Sequence, residues 1–154
     1  YKIVVKIMSK VFRIGITKNN NQEIHEVNAI RVIAGKGVVG DRYFHEHNES
    51  PNQLTLIESE NIDYYNEKFN LKIPYLNFRR NIVTKGIKLN DLVGKKLIIE
   101  KTELRAIDLC RPCNSLQKKL GQENIIKEFL RRGGLRCEIL NSSNIKISDE
   151  IKVL

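Results

Sequence analysis

Residues 102–113, Thr-Glu-Leu-Arg-Ala-Ile-Asp-Leu-Cys-Arg-Pro-Cys, combine a strand pattern with a reactive turn. Between Thr102 and Leu109 the apolar side chains alternate with polar ones or run together, as in a partly buried strand. The turn Cys110-Arg111-Pro112-Cys113 follows directly, and the polar stretch from Asn114 is typical of a short helix. A thiol beside a cation at the start of a helix is more acidic than a free cysteine. The stretch therefore predicts a strand–turn–helix unit that presents a cysteine.

The rest of the chain shows many short strand patterns and few helical ones. We expect strands at residues 13–17, 23–34, 53–57, 81–84 and 96–100, and a closing hairpin formed by 135–140 and 144–153. We expect helices at residues 59–69, with Ser59 as the N-cap, at 114–120, with Asn114 or Ser115 as the N-cap, and at 123–130. The strands and helices do not alternate regularly. This pattern predicts a mostly β fold with a few short helices, β-barrel-like or α+β, rather than a doubly wound parallel sheet.

Length and composition predict one domain. The chain has 154 residues, 41% of them hydrophobic, which is enough for a buried core without support from a metal or disulfide. We expect residues 1–10 to be an N-terminal extension or residues added by cloning, and residues 11–154 to form the domain. No apolar run approaches the ~18 residues of a membrane span. Three cysteines and no export signal favour a reducing, cytoplasmic location.

The chain is basic, with 27 Lys and Arg against 18 Asp and Glu and a formal net charge of +9. This balance is compatible with a polyanionic partner, including nucleic acid. Nucleic acid is nevertheless disfavoured, because the chain has no basic stretch interleaved with the aromatic residues that stack on bases. Many of the lysines are expected to form a solvated face, so charge alone does not assign a partner.

Three interpretations of Cys110 and Cys113 are open. A thioredoxin-like dithiol requires a long following helix and a later proline, whereas the last proline here lies inside the motif. A structural zinc site requires four ligands, and the spacing of Cys137, His45 and His47 does not point to one. The third interpretation is a single working thiol at Cys113, where strand gives way to helix, with Cys110 accessory or structural. Such a thiolate suits sulfur transfer or a soft metal centre.

Two arginine pairs flank the cysteine motif and are typical of anion sites. Arg79-Arg80-Asn81 precedes a predicted strand, and Arg131-Arg132-Gly133-Gly134 joins a predicted helix to a strand. Guanidinium forks beside the backbone N–H groups of glycines converge readily on a phosphate. The second pair could equally stabilise the end of the preceding helix. Gly40-Asp41-Arg42 is a third polar cluster, in which the aspartate either orients the arginine or caps a turn.

The order of motifs along the chain resembles that of the MOSC domain. This is the C-terminal domain of molybdenum cofactor sulfurases, and it also occurs as stand-alone bacterial proteins. The matching motifs, in family order, are Gly37-x-x-Gly40-Asp41-Arg42-Tyr43, Arg79-Arg80-Asn81-Ile82-Val83-Thr84-x-Gly86, Leu92-Val93-Gly94, Leu109-Cys110-Arg111-Pro112-Cys113 and Arg132-Gly133-Gly134-Leu135-Arg136. Each motif alone is weak, whereas the set in this order, spanning Val11 to Leu154, is specific.

The resemblance implies a MOSC-type, β-barrel-like fold and a role around the molybdenum cofactor. The cysteine of the family falls on Cys113, which would carry sulfur or ligate molybdenum. Many relatives have Glu where this chain has Arg80, and that difference favours anion binding at the position. Contacts to the phosphate of the molybdopterin, or of another phosphorylated ligand, would come from Asp41, Arg42, Arg79, Arg80, Asn81, Arg131 and Arg132.

Two activities are compatible with this resemblance. One is sulfur transfer through Cys113, with a sulfur donor or acceptor protein as partner. The other is reduction of N-hydroxylated compounds, as in the amidoxime-reducing relatives. Two alternatives of other classes stay open: a non-enzymatic anion- or RNA-binding module in which the cysteine is incidental, and a zinc-binding protein.

Overall fold

The computed structural model describes residues 8–154 and contains the predicted strand Thr102–Leu109. The strands of this region are β1 (Lys10–Ile16), β2 (His25–Val27), β3 (Ala29–Ile33), β4 (Gly37–Val38), β5 (Leu54–Glu58), β6 (Ile82–Lys85), β7 (Lys96–Ile99), β8 (Thr102–Leu109), β9 (Leu135–Ile139), β10 (Ser143–Lys146) and β11 (Ile151–Val153). The α-helices are α1 (Ser59–Lys68), α2 (Asn114–Leu120) and α3 (Ile125–Glu128). Short 3₁₀ turns lie at Pro51–Gln53, Tyr75–Phe78 and Leu89–Leu92.

Eight strands form one curled sheet in the order β11-β7-β8-β9-β5-β6-β1-β2. Neighbouring strands are antiparallel except for the parallel pair β5 and β6. Strands from opposite ends of this order, β1 and β11, approach each other where Lys10 forms a β-bridge with Glu150. The Ile151 N–H also donates to Ser9 O at 2.8 Å. A smaller sheet has the order β10-β3-β4. The predicted fold class, mostly β and barrel-like with a few short helices, is confirmed.

Two apolar clusters pack against the two faces of the large sheet. Side-chain alternation sends Leu54 and Leu56 of β5 into one cluster and Ile57 into the other. The second cluster is completed by the helices, with Tyr65 of α1 and Phe129 after α3 almost fully buried. Burial of both faces is the usual situation of parallel strands, and it explains why the successive residues Leu56 and Ile57 of β5 are both apolar and buried.

The predicted closing hairpin is wrong. β9 pairs with β5 and β8 in the large sheet, whereas β10 pairs with β3 in the small sheet. Between them, Asn141 accepts the Glu103 N–H at 2.6 Å and donates to Lys101 O at 2.8 Å. Ser142 accepts the Ala34 N–H at 3.0 Å. These side-chain hydrogen bonds tie the Asn-Ser-Ser turn to other strands, so the chain changes sheet instead of folding back on itself.

The strand predicted at residues 23–34 is divided at Asn28. β2 pairs with β1 in the large sheet, whereas β3 pairs with β4 and β10. The Asn28 carbonyl accepts the Ile147 N–H at 3.0 Å, outside both strands. At the other boundary, β1 already begins at Lys10, and Ser9 Oγ donates to Gly86 O at 2.7 Å. These two residues of the expected extension therefore bond to the sheet, and residues 1–7 lie outside the described part.

The helices are short, as predicted. α2 ends at Leu120 as predicted, followed by Gly121, left-handed at φ 66°, but its N-cap is Cys113 rather than Asn114 or Ser115. Glu58 rather than Ser59 is the N-cap of α1, and Ser59 is buried in the first turn. α3 is shorter than predicted because Phe129 leaves helical geometry, with φ −105° and ψ 13°, and packs in the core. Across residues 8–154, no helix combines the length and the apolar character needed to cross a bilayer.

Candidate functional site

A cavity of about 420 Å³ lies where the amino ends of β5 and β6 meet the end of β8 and the start of β9. Parallel β5 and β6 bring their first residues to the same edge, and the turn at 110–113 leaves β8 beside the start of β9. The lining contains one carboxylate and two cysteines. It also contains five arginines, namely Arg42, Arg79, Arg80, Arg111 and Arg136. The topology thus collects cations and thiols from distant parts of the chain.

Cys113 is the exposed thiol of this cavity. It is the N-cap residue of α2, with extended backbone at φ −130° and ψ 166°, and its side chain makes no capping hydrogen bond. Reactive cysteines are found in partly exposed, electropositive surroundings of this kind. The sulfur of Cys113 is therefore available to a group bound in the cavity.

The other two cysteines are buried. Cys110 also lines the cavity but is 5% exposed, and its N–H donates to Gly134 O at 2.7 Å. Burial raises the pKa of the Cys110 thiol, and the guanidiniums of Arg80 and Arg136 offset part of that effect. Cys137 lies in the sheet core, where burial raises the pKa of its thiol as well. One accessible thiol is thus distinguished from two that burial keeps protonated.

Asp41, a predicted ligand contact, does not line the cavity but forms a buried ion pair with Arg42, which does; their side chains are 1% and 6% exposed. Arg42 Nη1 lies 3.3 Å from Asp41 Oδ1, which also accepts the Thr17 N–H at 3.1 Å. Arg42 Nη2 donates to Arg79 O at 3.0 Å, and the guanidinium stacks 4.4 Å from the centre of the Tyr43 ring. Of the two predicted roles of Asp41, the structure shows the orientation of Arg42.

Arg79 connects the cavity to the polar loop between β1 and β2. Its Nη1 donates to Gln22 O at 2.9 Å and its Nη2 to Asn20 O at 3.2 Å. Lys119 of α2 donates to the same Asn20 carbonyl at 2.7 Å. Burial, followed by repulsion from Arg42, lowers the pKa of Arg79, and burial followed by repulsion from Arg79 lowers the pKa of Lys119. A bound anion would relieve this crowding of positive charge.

Arg80 reaches the cavity, whereas its neighbour Asn81 does not. Arg80 Nε donates to Gly133 O at 2.9 Å, which holds the guanidinium against the start of β9. Asn81 is 1% exposed. Its Oδ1 accepts the Thr55 N–H at 3.2 Å and its Nδ2 donates to Gly15 O at 3.3 Å. The Asn81 amide therefore joins three strands of the sheet, because β6 lies between β5 and β1.

Three further charged residues line the cavity, although the sequence reasoning did not assign them to the ligand: Asp108, Arg111 and Arg136. Arg136 Nη2 donates to Asp108 Oδ2 at 2.8 Å across β9 and β8. The hydrogen bond from the Leu109 N–H, followed by that from Arg136, lowers the pKa of Asp108. Strand alternation is the sequence signal that identifies Arg136, because it follows the buried Leu135 and therefore points to the opposite face of β9.

Arg131 and Arg132, predicted as ligand contacts, do not line the cavity. Arg132 stacks on Tyr64, 4.7 Å from the ring centre, and its Nη1 lies 3.9 Å from Glu128 Oε2. Arg131 is exposed, and its carbonyl accepts from Asn90 Nδ2 at 2.7 Å. Both arginines precede Gly133 and Gly134, which pack against the backbone of Cys110 and Leu56. They therefore lie between α3 and these glycines, outside the cavity. α3 ends at Glu128 and the cation of its last turn is Lys127, so Arg131 and Arg132 lie beyond the helix end, and Arg132 contacts the helix through the Glu128 side chain.

Three concavities of larger volume lie elsewhere, with about 980 Å³ beside β3 and β10, about 560 Å³ beside residues 46–51 and about 430 Å³ beside Tyr64. None of them is lined by a cysteine. His47 lines the second one, apart from Cys110 and Cys113. Within residues 8–154, no group of three or more His, Cys, Asp or Glu side chains is arranged to hold a metal ion.

The donor set of the arginine-lined cavity suits an oxyanion that carries a soft atom. Guanidinium groups bind phosphate oxygens in bidentate geometry, and a thiolate binds soft metals and sulfur. Arg42 Nε and Arg136 Nε have no hydrogen-bond partner among the described residues. The cavity can therefore hold a phosphate group while it presents the sulfur of Cys113.

Comparison with solved structures finds the same fold in several bacterial proteins. The YuaD protein from Bacillus subtilis has a TM-score of 0.79 and 17% sequence identity, covering 96% of each chain. YiiM from Geobacillus stearothermophilus has a TM-score of 0.76 and 14% identity, over 95% of this chain and 75% of that one. YiiM from Escherichia coli has a TM-score of 0.69 and 15% identity, over 95% and 68%. No curated protein sequence matches the chain significantly.

A family model provides the assignment that these low identities cannot. The model of the MOSC domain matches residues 22–152, a range that contains every residue lining the cavity. The resemblance of the motif order is therefore confirmed over most of the chain. The chain belongs to the MOSC domain family, which is associated with the molybdenum cofactor.

Proposed function

We propose that the chain binds a molybdopterin-type cofactor in the arginine-lined cavity and uses Cys113 as the thiol that reacts with or ligates it. The observation that carries this proposal is the exposed sulfur of Cys113 beside five cavity arginines. The association of the MOSC family with the molybdenum cofactor supports this ligand over other phosphorylated molecules.

The anchored arginines are suited to hold the phosphate end of the ligand. Arg42 is fixed by Asp41 and by Arg79 O, and Arg80 is fixed by Gly133 O. A guanidinium that is already held in place loses little side-chain entropy when it binds an anion. Arg136 adds a third fork from β9, and its Nε is unpaired within residues 8–154. Together these groups would orient the ligand with respect to Cys113.

Two roles of Cys113 fit this geometry. It carries a sulfur atom as a persulfide, or its thiolate ligates the metal. When bound, the cofactor supplies the metal centre at which sulfur is accepted or an N-hydroxylated compound is reduced. The carrier role requires a sulfur donor or acceptor protein as a partner, whereas the ligand role does not. Neither role requires Cys110, whose thiol is kept protonated by burial.

The content of the purified protein tests the proposal. The protein is produced in a host supplied with molybdate, and its molybdenum, pterin and cyanolysable sulfur are measured. If Cys113 is a metal ligand, the wild type contains molybdenum and pterin, and Cys113→Ser loses the molybdenum. If Cys113 carries sulfur, the wild type releases cyanolysable sulfur and Cys113→Ser does not. Arg80→Ala should lose pterin in both cases, because a phosphate contact is removed.

Cys137→Val is the matched control for Cys113→Ser. Cys137 is fully buried in the sheet core and does not line the cavity, so a core side chain of similar size should leave cofactor and sulfur content unchanged. The proposal is rejected if molybdenum, pterin and labile sulfur are all independent of Cys113. It is also rejected if Cys137→Val removes them to the same extent.

A second candidate is a non-enzymatic module that binds RNA or a phosphorylated ligand through the same arginines. The net charge of +9 and the cationic cavity favour it. Each phosphate contact makes the logarithm of the binding constant fall linearly with the logarithm of the salt concentration. Binding that is steeply salt-dependent and survives Cys113→Ser would support this module over the cofactor role.

A further inference from the structure

Asp108 is the one carboxylate among the described residues that line the arginine-rich cavity. It lies on β8 opposite Arg136 on β9, directly after a register shift that follows Ala106. Its Oδ2 accepts from Arg136 Nη2 at 2.8 Å, and its Oδ1 accepts the Leu109 N–H at 2.7 Å. The carboxylate therefore occupies a guanidinium that an anionic ligand would otherwise use.

The pair is accessible to a ligand. The side chains of Arg136 and Asp108 are 30% and 40% exposed. An ion pair this exposed adds little to the stability of a fold. The Leu109 N–H, Arg136 and Arg111 hold the pKa of Asp108 below its usual value, so the carboxylate stays charged. These features indicate a role in binding rather than in folding.

We propose that Asp108 is an anion-selectivity residue, an internal counter-ion that an incoming phosphate group must displace from Arg136. The inference rests on the proposed function, because it requires the cavity to accept a phosphorylated ligand. A phosphate that enters exchanges one ion pair for another and meets repulsion from the Asp108 carboxylate.

The consequence is selection by the non-phosphate part of the ligand. Inorganic phosphate and pyrophosphate contact only the guanidiniums, so they are weakened by the full competition with Asp108. A phosphate ester that carries a ring system also contacts the walls, where Tyr43 and Thr55 lie, and this contact offsets the competition. Asp108 would thus keep small anions from filling the cavity.

Titration of inorganic pyrophosphate into the wild type and Asp108→Asn, followed by calorimetry at one salt concentration, tests the inference. The amide oxygen of Asn still accepts the Leu109 N–H, so the substitution removes the charge and keeps the backbone contact. We expect pyrophosphate to bind Asp108→Asn about tenfold more tightly than the wild type. Asp108→Ser provides a second variant with the same charge change.

Glu138→Gln is the matched control, because Glu138 faces Arg105 across the same two strands at 4.0 Å but does not line the cavity. It changes the net charge equally, and its effect on pyrophosphate binding should stay within about twofold. A double-mutant cycle adds Arg136→Gln. In the Arg136→Gln background, Asp108→Asn should change the pyrophosphate affinity no more than Glu138→Gln does, because the guanidinium that the carboxylate blocks is gone.

The inference is overturned if Asp108→Asn binds pyrophosphate no better than Glu138→Gln, or if its gain persists in the Arg136→Gln background. It is also overturned if pyrophosphate binds neither the wild type nor the variant. The proposed function is judged separately, by molybdenum, pterin and sulfur content. If the pyrophosphate titration fails although the content measurements find molybdenum and pterin in the purified wild type, only the role of Asp108 is rejected.

Discussion

Replacing Gly134 by alanine should destabilise the fold and disturb the cavity. Gly134 has φ +98°, and a Cβ there would collide with the Leu56 carbonyl oxygen and lie 2.8 Å from the Leu56 carbonyl carbon. These are backbone atoms of β5, so no change of rotamer relieves the contact. Positive φ costs an L-residue about 1–2 kcal/mol, and overpacking typically costs about 1–3 kcal/mol. We therefore expect a loss of about 2–5 kcal/mol for Gly134→Ala.

Gly121→Ala separates the two contributions to this loss. Gly121 has φ +66°, and a Cβ there meets no atom within 4 Å, so only the backbone cost of about 1–2 kcal/mol applies. Urea unfolding followed by circular dichroism gives both free energies. Since Gly134 O accepts the Cys110 N–H, the Gly134 variant should also expose the Cys110 thiol to alkylation before global unfolding. Equal stability of the two variants, within about 0.5 kcal/mol, would refute the steric reasoning.

Three further predictions follow from single side chains. In the native protein iodoacetamide should label Cys113, and the two buried cysteines should react only after denaturation, as peptide mass spectrometry would show; equal labelling of all three would contradict the exposure of one thiol. The hydrogen bond from Tyr75 to Asp63 raises the pKa of Tyr75 to about 12 from 10.0, so its contribution to stability is complete below pH 10 and is lost as the pH rises toward 12. Urea unfolding should accordingly show that the stability difference between wild type and Tyr75→Phe shrinks across that interval, whereas a constant difference would contradict the assignment. Asn81→Ala should cost about 2–3 kcal/mol in the same assay, because the buried Thr55 N–H loses its acceptor, and a neutral effect would show that water replaces the amide.

The sequence predicts those elements whose pattern is local. Strand alternation defines residues 102–109, and a glycine at 121 ends the following helix, so both agree with the structure. The closing hairpin fails because its turn is held by side chains that bond to strands distant in sequence, at Glu103 and Ala34. No local pattern records those partners, because they are neighbours only after the sheet has formed.

The candidate site shows the same division. Cys113 could be predicted because its turn, its proline and the following helix adjoin in sequence. Of the predicted arginines, Arg42, Arg79 and Arg80 line the cavity, while Arg131 and Arg132 do not. In the second cluster, side chains alternate between the two faces of β9 after the glycines. Because Leu135 faces the core, the next residue, Arg136, faces the cavity.

The parallel pair β5 and β6 has a consequence for how the cavity obtains its charge. In open α/β sheets, ligands bind at the carboxyl ends of parallel strands, where helix N-termini supply backbone dipoles to phosphates. Here the cavity lies at the amino ends, because Thr55 and Arg80 line it, whereas α1 starts beyond the opposite end of β5. The N-terminus of α1 is therefore remote from the cavity, where five side-chain guanidiniums supply positive charge beside the start of the short helix α2. Substitution of single arginines can therefore change the charge of the cavity without a change in the backbone fold.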